Sequence, residues 1–210
     1  GYAAVRARGV QNGYVRPVVW RGAETMAISA HRTSVNVAVA AFEFGTYFDP
    51  TKKLEGISLG IPSYRRPPPA CMPFEAKAAA TYSISTICKH ETDACGFDDA
   101  LMLDWRGQIA EVSAANIFFV KDGELHTPTP DCFLNGITRQ TVFELADDAG
   151  IKIHERVVMP EVLPTFDEVF VVGTAAEITP INRIEDHRYS VGSVTRTIFN
   201  AYSARVLLPS

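Results

Sequence analysis

Lys77 stands in Phe74-Glu75-Ala76-Lys77-Ala78-Ala79-Ala80, a lysine flanked by small apolar residues. Burial in such a setting would depress its pKa and free the neutral amine as a nucleophile. Taken alone, a lysine at a helix start is more often a solvated charge. Gly136-Ile137-Thr138-Arg139 puts Gly and Thr at a helix opening. Free backbone N–H groups and a hydroxyl converge there, which suits an anion such as a phosphate; a plain N-cap by Thr138 is the other reading. Gly173-Thr174-Ala175-Ala176-Glu177 follows an apolar strand. Small residues let a backbone approach a ligand closely, although an ordinary tight turn with a helix cap has the same composition. Two Gly/Thr turns, each after a hydrophobic element, look more like a divided phosphate cup than either does singly. Glu111 ends a strand in Ile109-Ala110-Glu111-Val112-Ser113-Ala114-Ala115-Asn116. A carboxylate among small residues can partner a protonated ring nitrogen, or be an edge-strand surface acid.

The elements that must position these residues are mostly strands. Tyr14–Trp20 is β-rich and ends at Arg21-Gly22, Val35–Phe42 alternates in the manner of a half-buried strand, and Ile57–Ile61 is a third, short one. Tyr64-Arg65-Arg66-Pro67-Pro68-Pro69 is a loop, since its prolines supply no ladder donors. The spacing predicts a helix from Lys77 to His90. A hairpin-like run follows: strand Asp99–Asp104, turn Trp105–Gly107, return Gln108–Glu111, strand Asn116–Val120, an Asp-Gly turn, strand Glu124–Thr127. Helices are predicted at Thr138–Ala149, stopped by Gly150, and at about Ser193–Val206, with strand Glu168–Val172 between them. Hairpins without regular βαβ alternation point to an α+β fold. There is no internal repeat.

The 210 residues are 47% hydrophobic and 21% charged, with a formal net charge of −4. That composition is ordinary for a soluble protein and speaks against nucleic acid, whose binders carry a basic footprint. No apolar run approaches the ~20 residues of a membrane span, and no signal peptide follows Gly1–Arg8. GxGxxG and Walker loops are both absent, which weakens dinucleotide and NTPase readings. Cys71, Cys88, Cys95 and Cys132 form no CxxC pair, so a zinc knuckle is not expected and no metal site is assigned. They read as reduced thiols in a cytoplasmic protein, with Cys88 and Cys95 as core packing. The chain opens at Gly1 in what reads as the tail of a helix, Tyr2 to Arg8, stopped by Gly9; the expectation is a fragment, or a chain lacking upstream residues.

In combination, the order Lys77, Tyr82, Glu111, Asn116, Leu134-Asn135-Gly136-Ile137-Thr138-Arg139, Gly173-Thr174-Ala175-Ala176-Glu177-Ile178-Thr179-Pro180 resembles the class IV (fold type IV) pyridoxal-phosphate aminotransferases, and within them the branched-chain amino-acid aminotransferases. The resemblance runs from about Tyr14 to Tyr202. It implies the large C-terminal domain of the D-amino acid aminotransferase-like enzymes, a mixed, β-barrel-like sheet with flanking helices. Residues 14–210 would form the cofactor-binding domain, and residues 1–13 the tail of an absent small domain or a linker.

The resemblance also implies roles. Lys77 matches the lysine that forms the Schiff base to pyridoxal 5′-phosphate and then moves the proton between substrate Cα and cofactor C4′. Glu111 matches the acid that keeps the pyridine nitrogen protonated, Tyr82 the hydroxyl that meets the ring oxygen, and Asn116 a residue supporting Glu111. Leu134, Gly136, Ile137, Thr138, Gly173 and Thr174 match the phosphate cup. Thr174 and Ala175 match the turn that meets the substrate carboxylate. Tyr14-Val15-Arg16-Pro17 looks like the Tyr-x-Arg-Pro element of branched-chain enzymes, which makes Tyr14 and Arg16 substrate residues. Phe44 and Tyr47 match pocket aromatics, with Phe44 where tryptophan is common. The family's small domain supplies a phosphate-binding arginine that Arg6, Arg8 and Arg21 do not match; losing such a contact costs on the order of 1.5–3 kcal/mol. The expected activity is transamination of leucine, isoleucine and valine with 2-oxoglutarate. The expected assembly is a cytoplasmic homodimer or higher homo-oligomer with no nucleic-acid or membrane partner. A D-amino acid or (R)-amine transaminase, an aminodeoxychorismate lyase-like enzyme and a catalytically impaired truncated chain stand as alternatives.

Overall fold

The computed structural model describes residues 1–45 and 55–206. The chain divides into two units, Gly1–Thr46 and Tyr47–Ser210.

In the first unit, helix α1 (Tyr2–Arg8) stops at Gly9, whose φ of 64° lets its N–H turn back to the carbonyls of Arg6 and Val5. Strands β1 (Gly13–Arg21) and β2 (Val35–Glu43) pair antiparallel, in register from Gly13↔Glu43 to Arg21↔Val35. Gly13 has to be glycine: a Cβ there would lie 2.3 Å from the Phe42 carbonyl oxygen.

The second unit is built on one mixed sheet. Its strands are β3 (Ile57–Gly60), β4 (Asp99–Leu103), β5 (Ile109–Val112), β6 (Asn116–Lys121), β7 (Glu124–Thr127), β8 (Ile153–Glu155), β9 (Glu168–Gly173), β10 (Glu177–Ile184) and β11 (His187–Arg188). The order is β5-β4-β3-β10-β9-β6-β7-β8, with β11 added against β10. The pairs β3–β4, β3–β10 and β7–β8 are parallel; the others are antiparallel. Helix α2 (Tyr82–Ala94) supplies the crossover that the parallel β3–β4 pair requires. Helices α3 (Ile137–Asp148) and α4 (Ser193–Val206) follow later in the chain.

Alternation along the strands builds two cores. Ile117, Phe119, Val169 and Val171 join Ile57, Leu59, Leu101 and Ile181 on one face. Phe118, Val120, Phe170 and Val172 face the other way, onto Val142, Leu145 and Ala146 of α3 and Ile198 of α4. The first face gathers strands from across the order, and the Ile109 N–H donates to the Val158 carbonyl at 2.8 Å, just beyond β8. The sheet is therefore curled into a half-barrel with helices outside, the α+β arrangement implied by the resemblance. Among the described residues no helix is long and apolar enough to cross a membrane.

Three sequence expectations change. The helix predicted from Lys77 begins at Tyr82 and runs on to Ala94. Ala78 is extended (φ −93°, ψ 141°), and a 3-10 turn, Ala79–Thr81, leads in. The segment before it is folded by close backbone bonds, Phe74 N–H to Met72, Ala76 to Pro73 and Ala78 to Ala76, so the small residues there do not wind into an α-helix. The last strand of the core, β10, is not among the strands read from the sequence, and it holds Pro180, which supplies no ladder donor. Pro180 sits where β10 leaves its pairing with β9 for one with β3, so the missing donor falls at a change of partner. Cys88 is buried against Ala100 and Met102, as expected of a packing thiol, but Cys95 caps the end of α2 and is exposed.

Candidate active site

The residues singled out for chemistry gather at one end of the half-barrel. Antiparallel β6 and β9 pair Asn116 with Val172, so the start of one and the end of the other share an edge of a cleft. That cleft is lined by Lys77, Tyr82, Glu111, Asn116, Leu134, Gly136, Ile137, Thr138, Gly173 and Thr174, every cofactor residue of the sequence reading. Ala175, in the turn between β9 and β10, is not among the lining residues. Thr174 is.

Lys77 and Tyr82 meet because the helix is broken before them. On a continuous α-helix residues five apart point about 140° away from each other. The extended Ala78 and the 3-10 turn instead bring Lys77 Nζ to 2.6 Å from the Tyr82 hydroxyl, to which it donates. Lys77 is exposed in this chain, as the reading of a solvated lysine has it, and not buried among its small neighbours.

Glu111 reaches the cleft through a bulge. β4 and β5 pair Met102 with Glu111 but Leu103 with Ile109, leaving Ala110 extra. The added residue lets Ile109 and Val112 both face the barrel core while Glu111 faces away. The residue is 7% exposed, and its carboxylate forms an ion pair with Arg66 through Oε1. Burial, with a smaller push from Asp99, outweighs the lowering by Arg66 and then Lys77 and leaves the Glu111 carboxyl raised to about 7. Burial also raises Asp99, against a hydrogen bond with Ser113.

A stability prediction follows with a definite sign. The folded cofactor-free protein holds the Glu111 proton at pH values where the unfolded chain has lost it. Its contribution to stability should therefore fall as pH rises from 4.5 through about 7 and stay level above. Denaturation midpoints across that range, compared with those of Glu111→Gln, which should lack the slope, check it.

Asn116 ties the acid to the opposite wall. Its Nδ2 donates to the Leu134 carbonyl at 3.0 Å and, more loosely, to Glu111 Oε2 at 3.5 Å, while Oδ1 accepts the Gly136 N–H at 3.2 Å. Gly136, not Thr138, is the N-cap of α3, and no side chain caps that end. The first intrahelical bond runs from Gln140 N–H to the Gly136 carbonyl at 3.1 Å. The N–H groups of Ile137, Thr138 and Arg139 are thus left for something else, with the positive end of the helix behind them. Across the cleft, Gly173 pairs with Glu177 around a tight turn. Glu177 takes a left-handed φ of 51°, and the Thr179 hydroxyl bonds the Ala176 carbonyl at 2.6 Å. That is the geometry of a three-residue hairpin loop.

Three of the proposed substrate residues fall in the first unit. Tyr14, Arg16 and Phe44 belong to the first unit, where the Tyr14 ring packs at 5.2 Å from Phe44 and 5.9 Å from Phe42, and the Arg16 guanidinium sits 5.1 Å over Tyr14. Tyr47 lies outside the described residues. Sequence reading missed Arg66, Thr81 and Ser113, which also line the cleft. Arg66 was hidden in a proline-rich loop where nothing distinguishes a buried arginine from a solvated one. One further group of acids and a thiol, Asp104, Asp131 and Cys132, comes together elsewhere, but Arg106 already pairs with both carboxylates.

A buried carboxylate, a primary amine with a phenol beside it, and an uncapped helix start with a glycine turn opposite fit a flat, anionic heterocycle bearing an electrophile. Comparison with known proteins agrees. The family model described as amino-transferase class IV matches residues 2–184. A probable branched-chain-amino-acid aminotransferase of Rickettsia felis is 39% identical over 181 residues, covering 86% of this chain and 61% of that protein. The crystal structure of a branched-chain aminotransferase from Thermoproteus uzoniensis with norvaline superposes with a TM-score of 0.91 at 40% identity, over 97% of this chain and 68% of the other. An aminotransferase from Brucella abortus bound to the cofactor PLP gives 0.78 at 34% identity, over 92% and 68%. The chain thus spans about three-fifths of the length of the curated relative.

Proposed function

Because the chain belongs to the class IV aminotransferases, we propose that its protein is a pyridoxal-phosphate transaminase moving an amino group from leucine, isoleucine or valine to 2-oxoglutarate. The observation that carries this is the convergence of Lys77, Glu111 and the uncapped start of α3 on one cleft, in a chain alike throughout to enzymes named for branched-chain substrates. We also place the protein in the cytoplasm as a homodimer or higher homo-oligomer. All four of its cysteines are free thiols, which suits a reducing compartment.

When bound, the cofactor supplies an aldehyde that takes up the amino group and a ring that accepts electrons released at the substrate α-carbon. The chain does the rest. Lys77 would hold the aldehyde through its Nζ, and the amine, when free, would serve as the general base for the substrate α-proton. Tyr82 holds Nζ in place through the 2.6 Å hydrogen bond. Glu111 would offer a carboxylate to the ring nitrogen of the bound cofactor. The N–H groups at the start of α3 and the Thr138 and Thr174 hydroxyls would hold the phosphate, as helix N-termini do.

Gly136 gives a direct test of the phosphate wall. A Cβ there would stand 2.6 Å from Asn116 Oδ1, so Gly136→Ala must displace the asparagine and lose its bonds to the cup. Affinity for pyridoxal 5′-phosphate, read by absorbance titration, should weaken by about 1 kcal/mol, the worth of one hydrogen bond; unaltered affinity would show that the asparagine bridge does not shape the cup.

Donor choice is tested with L-leucine, D-alanine and (R)-1-phenylethylamine offered singly to the full chain. L-leucine should discharge the cofactor's absorbance. Reaction with D-alanine but not L-leucine would replace the branched-chain reading by the D-amino acid one. Leucine, isoleucine and valine should overlap, since a methylene in an apolar pocket is worth only ~1–3 kcal/mol.

A further inference from the structure

Glu111 has a buried partner from outside the sheet. Arg66 lies between Arg65 and Pro67, and its backbone N–H is fixed by the Leu103 carbonyl at 2.8 Å. It is 3% exposed. Its Nη2 pairs with Glu111 Oε1 and donates to the Ser85 hydroxyl at 3.1 Å, while its Nε has no hydrogen-bond partner among the described residues. A desolvated guanidinium with a donor unspent is expensive, and an apolar pair in its place is often more stable. Packing alone gives no reason to keep it. The cleft does: both residues line it, and with Oε1 taken by Arg66 the other oxygen, held only loosely by Asn116, is left for a ligand.

We propose that Arg66 is a positioning residue for the ring-nitrogen contact: by pairing with Oε1 it fixes the Glu111 carboxyl with Oε2 presented to the cleft and offsets part of the cost of a negative charge there, so that a proton shared with a pyridine nitrogen rests on the nitrogen. This rests on the cofactor reading given above. The charged groups that bear on Glu111 are Arg66, Lys77 and Asp99. Burial and Asp99 favour the neutral acid; Arg66 and Lys77 oppose them, Arg66 more strongly. Lys77 is committed to chemistry, which leaves Arg66 as the standing cation. Without it the buried acid would keep the proton and the nitrogen would be neutral, a poorer sink for electrons.

The experiment uses the full chain with Arg66→Met, Arg66→Lys, Glu111→Gln and the Arg66→Met/Glu111→Gln double variant. Two quantities are read: the titration of Glu111 in the cofactor-free form by carboxyl carbon NMR, and affinity for pyridoxal 5′-phosphate by absorbance. Arg66→Met should raise the Glu111 titration by about one pH unit or more and weaken affinity about tenfold. The double variant should lose no more than the worse single one, because Arg66 acts through Glu111. Arg66→Lys should leave the titration near that of the wild type yet lower affinity, since a mobile ammonium keeps the charge without fixing the carboxylate. An unmoved titration in Arg66→Met, or losses that multiply in the double variant, would make Arg66 a packing residue and overturn the proposal. If Arg66→Met does not fold, Arg66→Lys decides alone: wild-type affinity overturns the positioning role, and lowered affinity with an unmoved titration supports it. Failure of the wild-type chain to bind the cofactor would instead remove the reading on which this rests.

Discussion

Replacing Lys77 with alanine is expected to lower the transamination rate about 10⁴-fold, the upper end of what a positioned base contributes. Lys77 is the one lysine among the described residues lining the cleft, so no neighbouring lysine could take over the cofactor bond and the proton transfer proposed for it. Because the side chain is exposed and its hydrogen bond goes to the Tyr82 hydroxyl, the variant should fold as well as the parent. Its melting temperature without cofactor should match that of the parent while single-turnover rates collapse. Added small amines should restore part of the rate by entering the space of the missing side chain. A variant retaining more than about a tenth of the parent rate would put the proton transfer elsewhere.

Glu111→Gln is expected to cost about 10²–10³ in turnover, the range for removing one preorganised electrostatic contact from a buried site. The change is nearly isosteric, so the barrel should keep its bulge and the new amide should keep the carboxylate's place in the wall. What goes is the negative charge facing the ring nitrogen. The loss should fall mainly on turnover and less on the substrate's Michaelis constant, because the contact matters most when the ring carries the substrate's electrons. Equal losses in both would make Glu111 a general support of the pocket.

Much of this site was legible in the sequence because its parts are short and local. An Asp-Gly turn, a Gly/Thr helix start and a strand running into Gly173-Thr174 announce themselves through residue type, and the structure seats each where its neighbours in sequence imply. What was not legible depends on long-range geometry. The meeting of Lys77 and Tyr82 needs a break in a helix that small residues would favour. The outward turn of Glu111 needs a bulge that shows only once β4 is paired. Arg66 stands in a segment legible only as a proline-rich loop, and only the fold shows it buried against Glu111. Strand β10 also shows only in the fold, where the change of partner at Pro180 spares the missing donor.

The central claim is that Lys77 carries the cofactor, and chemical trapping tests it most directly. The full chain is incubated with pyridoxal 5′-phosphate, reduced with borohydride, digested and examined by mass spectrometry. One phosphopyridoxyl group is expected, on the peptide holding Lys77, with none on that peptide when Glu111 and the cup are intact but Lys77 is replaced by alanine. A label on a different lysine, or an unlabelled Lys77 in a chain that has bound the cofactor, would contradict the account.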